Sequence, residues 1–197
     1  MPTLVLASAS PRRADLLRAA GIAFDVRVSE VDESPHPDES PEEYVRRIAE
    51  VKARAVIAAG ERRAILSADT VVVNGGRALG KPRDAADARH MLESLSGRTH
   101  IVLTAVCVVS DAAEPSSLTR AIVCRVESTT VEFDVLRPHE LDWYVASGEP
   151  MGKAGAYAIQ GLASRFVRRI EGSYSNVVGL PVALVYRMCT EAGILVS

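Results

Sequence analysis

Apolar and polar positions alternate along the chain with two different periods. Thr3 to Ala7 is a short apolar run that reads as a buried strand, and Phe24 to Val28 alternates like a second strand. Ile65 to Val73 and Ile101 to Val109 are strand-like as well, and Leu118 to Phe133 reads as a long partner joined to the latter by a polar turn around Ala113 to Ser117. Helical signals lie between these runs. Ser10 stands before Pro11, an N-cap followed by proline at the first helical position, which predicts a helix to about Ala20 with Gly21 as its stop. Ser40-Pro41-Glu42-Glu43 is a capping box that opens a long helix to about Ala59. On it Tyr44, Ile48, Val51, Ala55 and Ala59 fall on one stripe at helical spacing. Asn74-Gly75 is a hairpin turn signal, and Asp84 caps a third helix that ends near Leu95, before Gly97. Pro138 opens a helix to about Ser147, and a last one runs from about Val182 to Ala192. Glu33 to Pro41, rich in proline and acids, reads as a loop rather than a boundary, so residues 1–197 are expected to form a single domain. Strands and helices mixed around a long hairpin favour an α/β fold with a mixed sheet over a regular doubly wound one.

Composition narrows the function. Hydrophobic residues make up 48% and charged residues 24%, the balance of an ordinary globular chain. Lysine plus arginine number 23 against 25 acids, a formal charge of −2, and aromatics are 5%. Neither the field nor the stacking surface of a nucleic-acid binder is there. No apolar run is long enough to span a bilayer, and Met1-Pro2-Thr3 leads into a strand-like run with no basic or long apolar leader. The expectation is a cytoplasmic protein with neither a membrane nor a nucleic-acid partner. Cys107, Cys124 and Cys189 are an odd count, far apart, so neither a disulfide framework nor a zinc knuckle is expected. The four histidines share no metal spacing.

Several segments could carry chemistry. Ser8-Ala9-Ser10-Pro11-Arg12-Arg13 spans a strand-to-helix turn, where free backbone N–H groups, hydroxyls and guanidiniums suit a phosphate. The plainer alternative, a helix cap with solvated arginines, is the one that spacing alone favours. Asp69, followed by Thr70, sits in an apolar strand, and a carboxylate there needs a metal, a lysine partner or general-base duty unless it lies on a solvated face. Gly80-Lys81-Pro82 and Gly152-Lys153-Ala154-Gly155 each put a lysine beside small or rigid residues; singly, either suits an exposed loop. Glu30-Val31-Asp32-Glu33 offers oxygen ligands for a divalent cation, or is a solvated loop. Neither a G-x-x-x-x-G-K-[ST] nor a G-x-G-x-x-G loop occurs.

Taken together, these segments resemble the signatures of the Maf family of nucleoside triphosphate pyrophosphatases. The blocks are Leu6 to Arg13, Glu30 to Glu33, Lys52 to Ala55, Ala68 to Val72, Gly80 to Arg83, Leu95 to Gly97, Lys153 to Gly161 and Gly172 to Pro181, in order over nearly the whole chain. The resemblance implies an elongated mixed β-sheet with flanking helices, two lobes around a cleft, as in the inosine triphosphate pyrophosphatase class. It implies hydrolysis of a nucleoside triphosphate to the monophosphate and pyrophosphate with a divalent metal cation, Mg²⁺ or Mn²⁺. By motif, Ser8, Arg12, Arg13, Lys52, Lys81 and Lys153 would bind the triphosphate, and Glu33 and Asp69 the metal, with Asp69 the proton acceptor. Arg13, Thr70 and Gln160 would tune base specificity. Asp69-Thr70 and the Ile159-Gln160-Gly161 block resemble the branch acting on dTTP and UTP rather than the one acting on 7-methyl-GTP. The family's link to septum formation leaves a cell-division interaction protein as a rival, and its common homodimers leave that state open.

Overall fold

The computed structural model describes residues 4–28, 30–111 and 120–195. In chain order the elements are β1 (Leu4–Leu6), α1 (Pro11–Ala19), β2 (Phe24–Val26), α2 (Pro41–Ala58), β3 (Ala64–Asn74), β4 (Arg77–Leu79) and α3 (Ala85–Leu95). There follow β5 (Thr99–Val109), β6 (Ile122–Phe133), α4 (Pro138–Ala146), β7 (Val167–Glu171), α5 (Tyr174–Val178) and α6 (Val182–Glu191), with 3₁₀ turns at Ala154–Ala156 and Leu162–Phe166. The strands form a sheet in the order β2-β1-β3-β5-β6-β7, with β4 paired on β3. β1 runs parallel to β2 and β3, whereas β3–β4 and β6–β7 are antiparallel, so the sheet is mixed, as the hairpin-rich pattern predicts. Among the described residues no helix is long and apolar enough to cross a membrane.

The chain packs as two compact units. The first takes Met1–Asp69, Thr104–Glu127 and Gly179–Ser197; the second takes Thr70–Leu103 and Ser128–Val178. In the first unit, strand alternation sends Leu4 and Leu6 to one face and Val5 and Ala7 to the other. Leu4, Leu6, Leu66 and Val106 pack with Leu17 of α1 and with Leu184, Val185 and Met188 of α6. Val5, Ile65 and Val109 pack with Ala53 and Val56 of α2. Because helices cover both faces, the strands carry no polar alternation, and each buried leucine or valine contributes about 1.5–3 kcal/mol.

Helix α2 begins at the expected capping box: Ser40 Oγ accepts from the Glu43 N–H at 3.3 Å and Glu43 Oε2 accepts from the Ser40 N–H at 2.9 Å. Its buried face differs from the predicted stripe. Val45, Ile48, Ala49, Ala53 and Val56 are buried, while Tyr44, Val51 and Ala55 are half-buried and Ala59 is exposed. The helix is turned so that Tyr44 lies at the rim of the core, where its hydroxyl meets the Glu33 carbonyl. The cysteine expectation is corrected as well. Cys107 and Cys124 form a disulfide between the adjacent strands β5 and β6, their Cα atoms 4.1 Å apart, while Cys189 is free and buried. Spacing along the chain cannot reveal a pair that only sheet register brings together.

In the second unit, Asp84 caps α3 by accepting from the Asp87 N–H at 2.8 Å, as its position predicts. The hairpin turn lies one residue later than expected: Asn74 pairs with Arg77, and Gly75 and Gly76 both take positive φ, the twist a two-residue loop requires. The core here is aromatic. Phe133 meets His100 and Tyr157 edge-on at 5.0 and 4.9 Å, and Tyr144 meets Phe166 at 5.4 Å. Asn176, fully buried, donates to the Val102 carbonyl and to Thr129 Oγ1, both at 3.0 Å, and so ties α5 to β5 and β6. β7 has no counterpart among the predicted strands, and β2 stops at Val26 rather than Val28. The expected polar turn at Ala113 to Ser117, the start of the strand at Leu118 and the strand residue Thr3 lie outside the described residues.

Candidate functional site

The residues singled out in the sequence divide between the two units. Ser8, Arg12, Arg13, Glu33, Lys52 and Asp69 belong to the first; Thr70, Lys81, Lys153 and Gln160 belong to the second.

In the first unit, β1 and β3 lie side by side, and the chain leaves β1 through Ala7, whose N–H bonds the Leu66 carbonyl at 2.8 Å. That register carries Ser8 toward the middle of β3, where Ala68 and Asp69 lie. Arg13, on the first turn of α1, is only 8% exposed. Its guanidinium donates to Ser8 Oγ at 3.0 Å, to the Ala68 carbonyl at 2.8 Å and, through Nε, to the Gly179 carbonyl at 2.8 Å. Burial lowers its pKa, and attraction from Asp69 opposes the shift. Thus Arg13 fastens the Ser8 turn to β3 and to the chain before α6, a duty the solvated-arginine alternative did not foresee. Arg12 is half-buried beside it. The Ser10 side chain makes no cap bond, so plain helix capping does not account for this turn.

Asp69 has the partner its apolar strand demands. Lys52 Nζ lies 2.7 Å from Asp69 Oδ1 and 2.7 Å from Glu33 Oε1. The lysine and aspartate side chains are 14% and 11% exposed, that of Glu33 37%. Two carboxylates held on one ammonium carry a surplus negative charge, with their bonded oxygens at most twice that distance apart. Helix α2 builds this triad, since Tyr44, Ile48 and Lys52 recur at four-residue steps along one side. Tyr44 donates its hydroxyl to the Glu33 carbonyl at 3.0 Å. Its pKa is pushed up to about 12, by burial first and then by the charges of Asp69 and Glu33. Arg47, one turn on, grips Glu39 at 2.6 and 2.7 Å and the Ser34 carbonyl at 3.0 Å, fixing the loop that carries Glu33. These bonds hold Glu39 down at about 2. Tyr44 and Arg47 were invisible as site residues; their only signal was a place on the helix that carries Lys52.

Of the acidic cluster, only Glu33 joins the triad, while Asp32 accepts from the Ser34 N–H at 2.8 Å. Among the described residues no three histidine, cysteine or acidic side chains gather as a cage for a metal. Glu33 and Asp69 do fit a cation such as Mg²⁺, which takes one or two carboxylates and completes its shell with water and substrate phosphate.

In the second unit Thr70 continues β3, half-buried, and Lys81 is exposed just after Gly80. The Gly80 carbonyl accepts from the Gly155 N–H at 3.0 Å, joining the two lysine-bearing loops. Lys153 donates to the Glu149 carbonyl, and to that of Met151 at 3.4 Å. Gln160 is exposed on the following loop. His100, passed over in the sequence, is 2% exposed, with Nε2 2.9 Å from the Tyr157 hydroxyl.

Comparison with known proteins bears on the whole chain. A dTTP/UTP pyrophosphatase of Anaeromyxobacter dehalogenans (strain 2CP-C) is 53% identical over 192 residues, which is 98% of this chain and 95% of that one. One of Geobacter metallireducens is 48% identical, over 98% and 97%. The structure of the Staphylococcus aureus Ham1 protein overlaps 66% of this chain and 71% of its own, at 14% identity and a TM-score of 0.42. The profile described as Maf-like protein matches residues 3–192, and with such relatives beside it the chain belongs to the Maf-like family.

Proposed function

We propose that this chain is a nucleoside triphosphate pyrophosphatase that hydrolyses dTTP and UTP, or modified pyrimidine relatives, to the monophosphate and pyrophosphate. The observation that carries the reading is the Glu33–Lys52–Asp69 triad, in a Maf-like chain about half identical to relatives named dTTP/UTP pyrophosphatase. In this reading, a water attacks the α-phosphorus and Asp69 takes its proton as the new P–O bond forms. The bond from the α-phosphorus to its bridging oxygen then breaks, and pyrophosphate leaves with the electron pair. Lys52 holds both carboxylates in place, and Tyr44 and Arg47 hold the Glu33 loop. Ser8, Arg12, Lys81 and Lys153 answer the charge on the phosphate oxygens. Arg13, engaged with Ser8, Ala68 and Gly179, acts by fixing the Ser8 turn. Glu33 and Asp69 would hold the divalent cation, Mg²⁺ or Mn²⁺, which when bound neutralises negative charge on the triphosphate.

Thr70 and Gln160 meet the base. A hydroxyl and an amide both donate and accept, and a uracil or thymine edge offers two carbonyl acceptors and one N–H donor. The enzyme belongs in this reading to the cytoplasm, where nucleotide pools are, and works as one domain or as a homodimer of it. The test is pyrophosphate release from dTTP, UTP, GTP and 7-methyl-GTP under one metal condition. Higher kcat/KM for dTTP and UTP is expected. A clear preference for 7-methyl-GTP moves the chain to the other branch, and no release from any nucleotide favours a cell-division interaction protein instead.

A further inference from the structure

Within the second unit the segment from Lys153 to Gln160 is bent in an unusual way. Gly155 has φ +66° and Ala156 has φ +60°, two consecutive left-handed residues, the second carrying a side chain. Such a conformation persists only where its surroundings over-determine it. Here three attachments do so. A Cβ on Gly155 would lie 2.7 Å from Val72 Cγ2, so the backbone sits directly on β3 two residues beyond Thr70. The Gly155 N–H is bonded to Gly80, the residue before Lys81. Beyond the bend, Tyr157 is buried with its ring edge-on to His100 and Phe133, and its hydroxyl reaches His100 Nε2 at 2.9 Å. The loop's far end is seated too: Glu149 accepts from the Leu162 N–H at 2.9 Å, and a Cβ on Gly161 would clash with its carboxylate.

His100 is a costly way to fill this core. Its other ring nitrogen, Nδ1, is buried without a hydrogen-bond partner among the described residues. Burial pushes its pKa down to about 4, so the ring is neutral near pH 7. A phenylalanine would fill similar space without a buried unsatisfied nitrogen. The imidazole is explained by the hydrogen bond it makes to Tyr157, three residues before Gln160 and four after Lys153.

We propose that His100 and Tyr157 are positioning residues for base selection, anchoring the left-handed bend at Gly155 and Ala156 so that Gln160 is held in one place against the base. The inference rests on the dTTP/UTP reading and deepens it. It is tested with Tyr157→Phe and His100→Phe, which keep an aromatic ring at each position and remove the bond, alongside Gln160→Ala. Either ring variant is expected to raise KM for dTTP roughly five- to tenfold with kcat nearly kept, while GTP kinetics barely change. In the Gln160→Ala background the same change should cause no further loss of selectivity, because its effect runs through Gln160. Equal losses for dTTP and GTP, wild-type selectivity, or losses that multiply with Gln160→Ala would overturn the proposal. Should one ring variant fail to fold, the other decides alone, because each removes the same His100–Tyr157 hydrogen bond, and full retention of selectivity by it is equally fatal. If the wild-type chain releases no pyrophosphate from dTTP, the proposed function fails on its own. Equilibrium binding of dTTP and GTP by the same variants then decides this proposal, and an unchanged binding ratio defeats it.

Discussion

Asp69→Asn separates chemistry from stability at the triad. The amide is nearly isosteric, but it can neither take the water's proton nor carry the charge that a cation needs. Losing a positioned general base costs about 10²- to 10⁴-fold in turnover, or about 3–5 kcal/mol in the barrier. The structural cost is smaller. Lys52 loses one charge-assisted bond at 2.7 Å but keeps Glu33 at the same distance, and the amide oxygen can still accept from the ammonium. A bond to a charged group contributes about 1.5–3 kcal/mol. With the amide still accepting, the stability loss should be about 1–2 kcal/mol, a fall in Tm of about 2–8 °C for a chain this long. The variant therefore stays folded at assay temperature while turnover collapses. Steady-state pyrophosphate release from dTTP, read beside a thermal melt, measures both quantities. Turnover within threefold of wild type, with unchanged metal dependence, would refute the role given to Asp69.

Arg12→Ala should weaken every triphosphate by a similar factor, roughly 10- to 150-fold in kcat/KM, since a phosphate contact does not see the base; an effect confined to one nucleotide would place Arg12 with the specificity residues. Arg13→Met should instead show first in stability, losing about 2–5 kcal/mol by leaving the Ala68 and Gly179 carbonyls short of a donor, as a denaturant titration would report. Ser40→Ala should cost about 1 kcal/mol through the lost cap, with kinetics unchanged. Acid should also weaken the fold above the usual carboxylate range. His100 titrates near 4 when folded against 6.5 when free, so its stabilising effect is whole above pH 6.5 and is lost as pH falls toward 4, by about 3 kcal/mol. His100→Phe should flatten that part of the stability–pH curve.

Local signals in the chain proved to be of two kinds. Those whose partners lie within a few residues were legible: the Ser40–Glu43 box, the Asp84 cap and the glycine turn after Asn74 all form close to where their spacing puts them. Those whose partners are distant were not. Arg13 looked solvent-facing because its two backbone acceptors stand 55 and 166 residues away. Lys52 entered only through the family resemblance, yet helical steps from Tyr44 bring it onto an aspartate 17 residues later. The Cys107–Cys124 disulfide depends on strand adjacency and so escaped an argument from spacing. β7 was missed because its Val-Arg-Arg-Ile-Glu run is short and mostly charged, as suits a strand at the edge of a sheet. The site roles came from motif resemblance, and the buried His100, outside any motif's chemistry, could be seen only once its neighbours were in place.

The interleaving of the two units has a consequence for the chain as it is made. Domains usually fold from the N-terminus forward while synthesis proceeds at about 5–20 residues per second. Here the order is inverted. The second unit is complete in sequence once Val178 has emerged, whereas the first, which begins at Met1, still lacks its last segment. That segment brings Leu184, Val185 and Met188 to the face of β1 carrying Leu4 and Leu6. Until α6 arrives, that face of β1 is covered by α1 alone and keeps part of its apolar surface open. Nascent chains halted before Val182 should therefore bind holdase chaperones through β1 and α1 rather than through their newest residues.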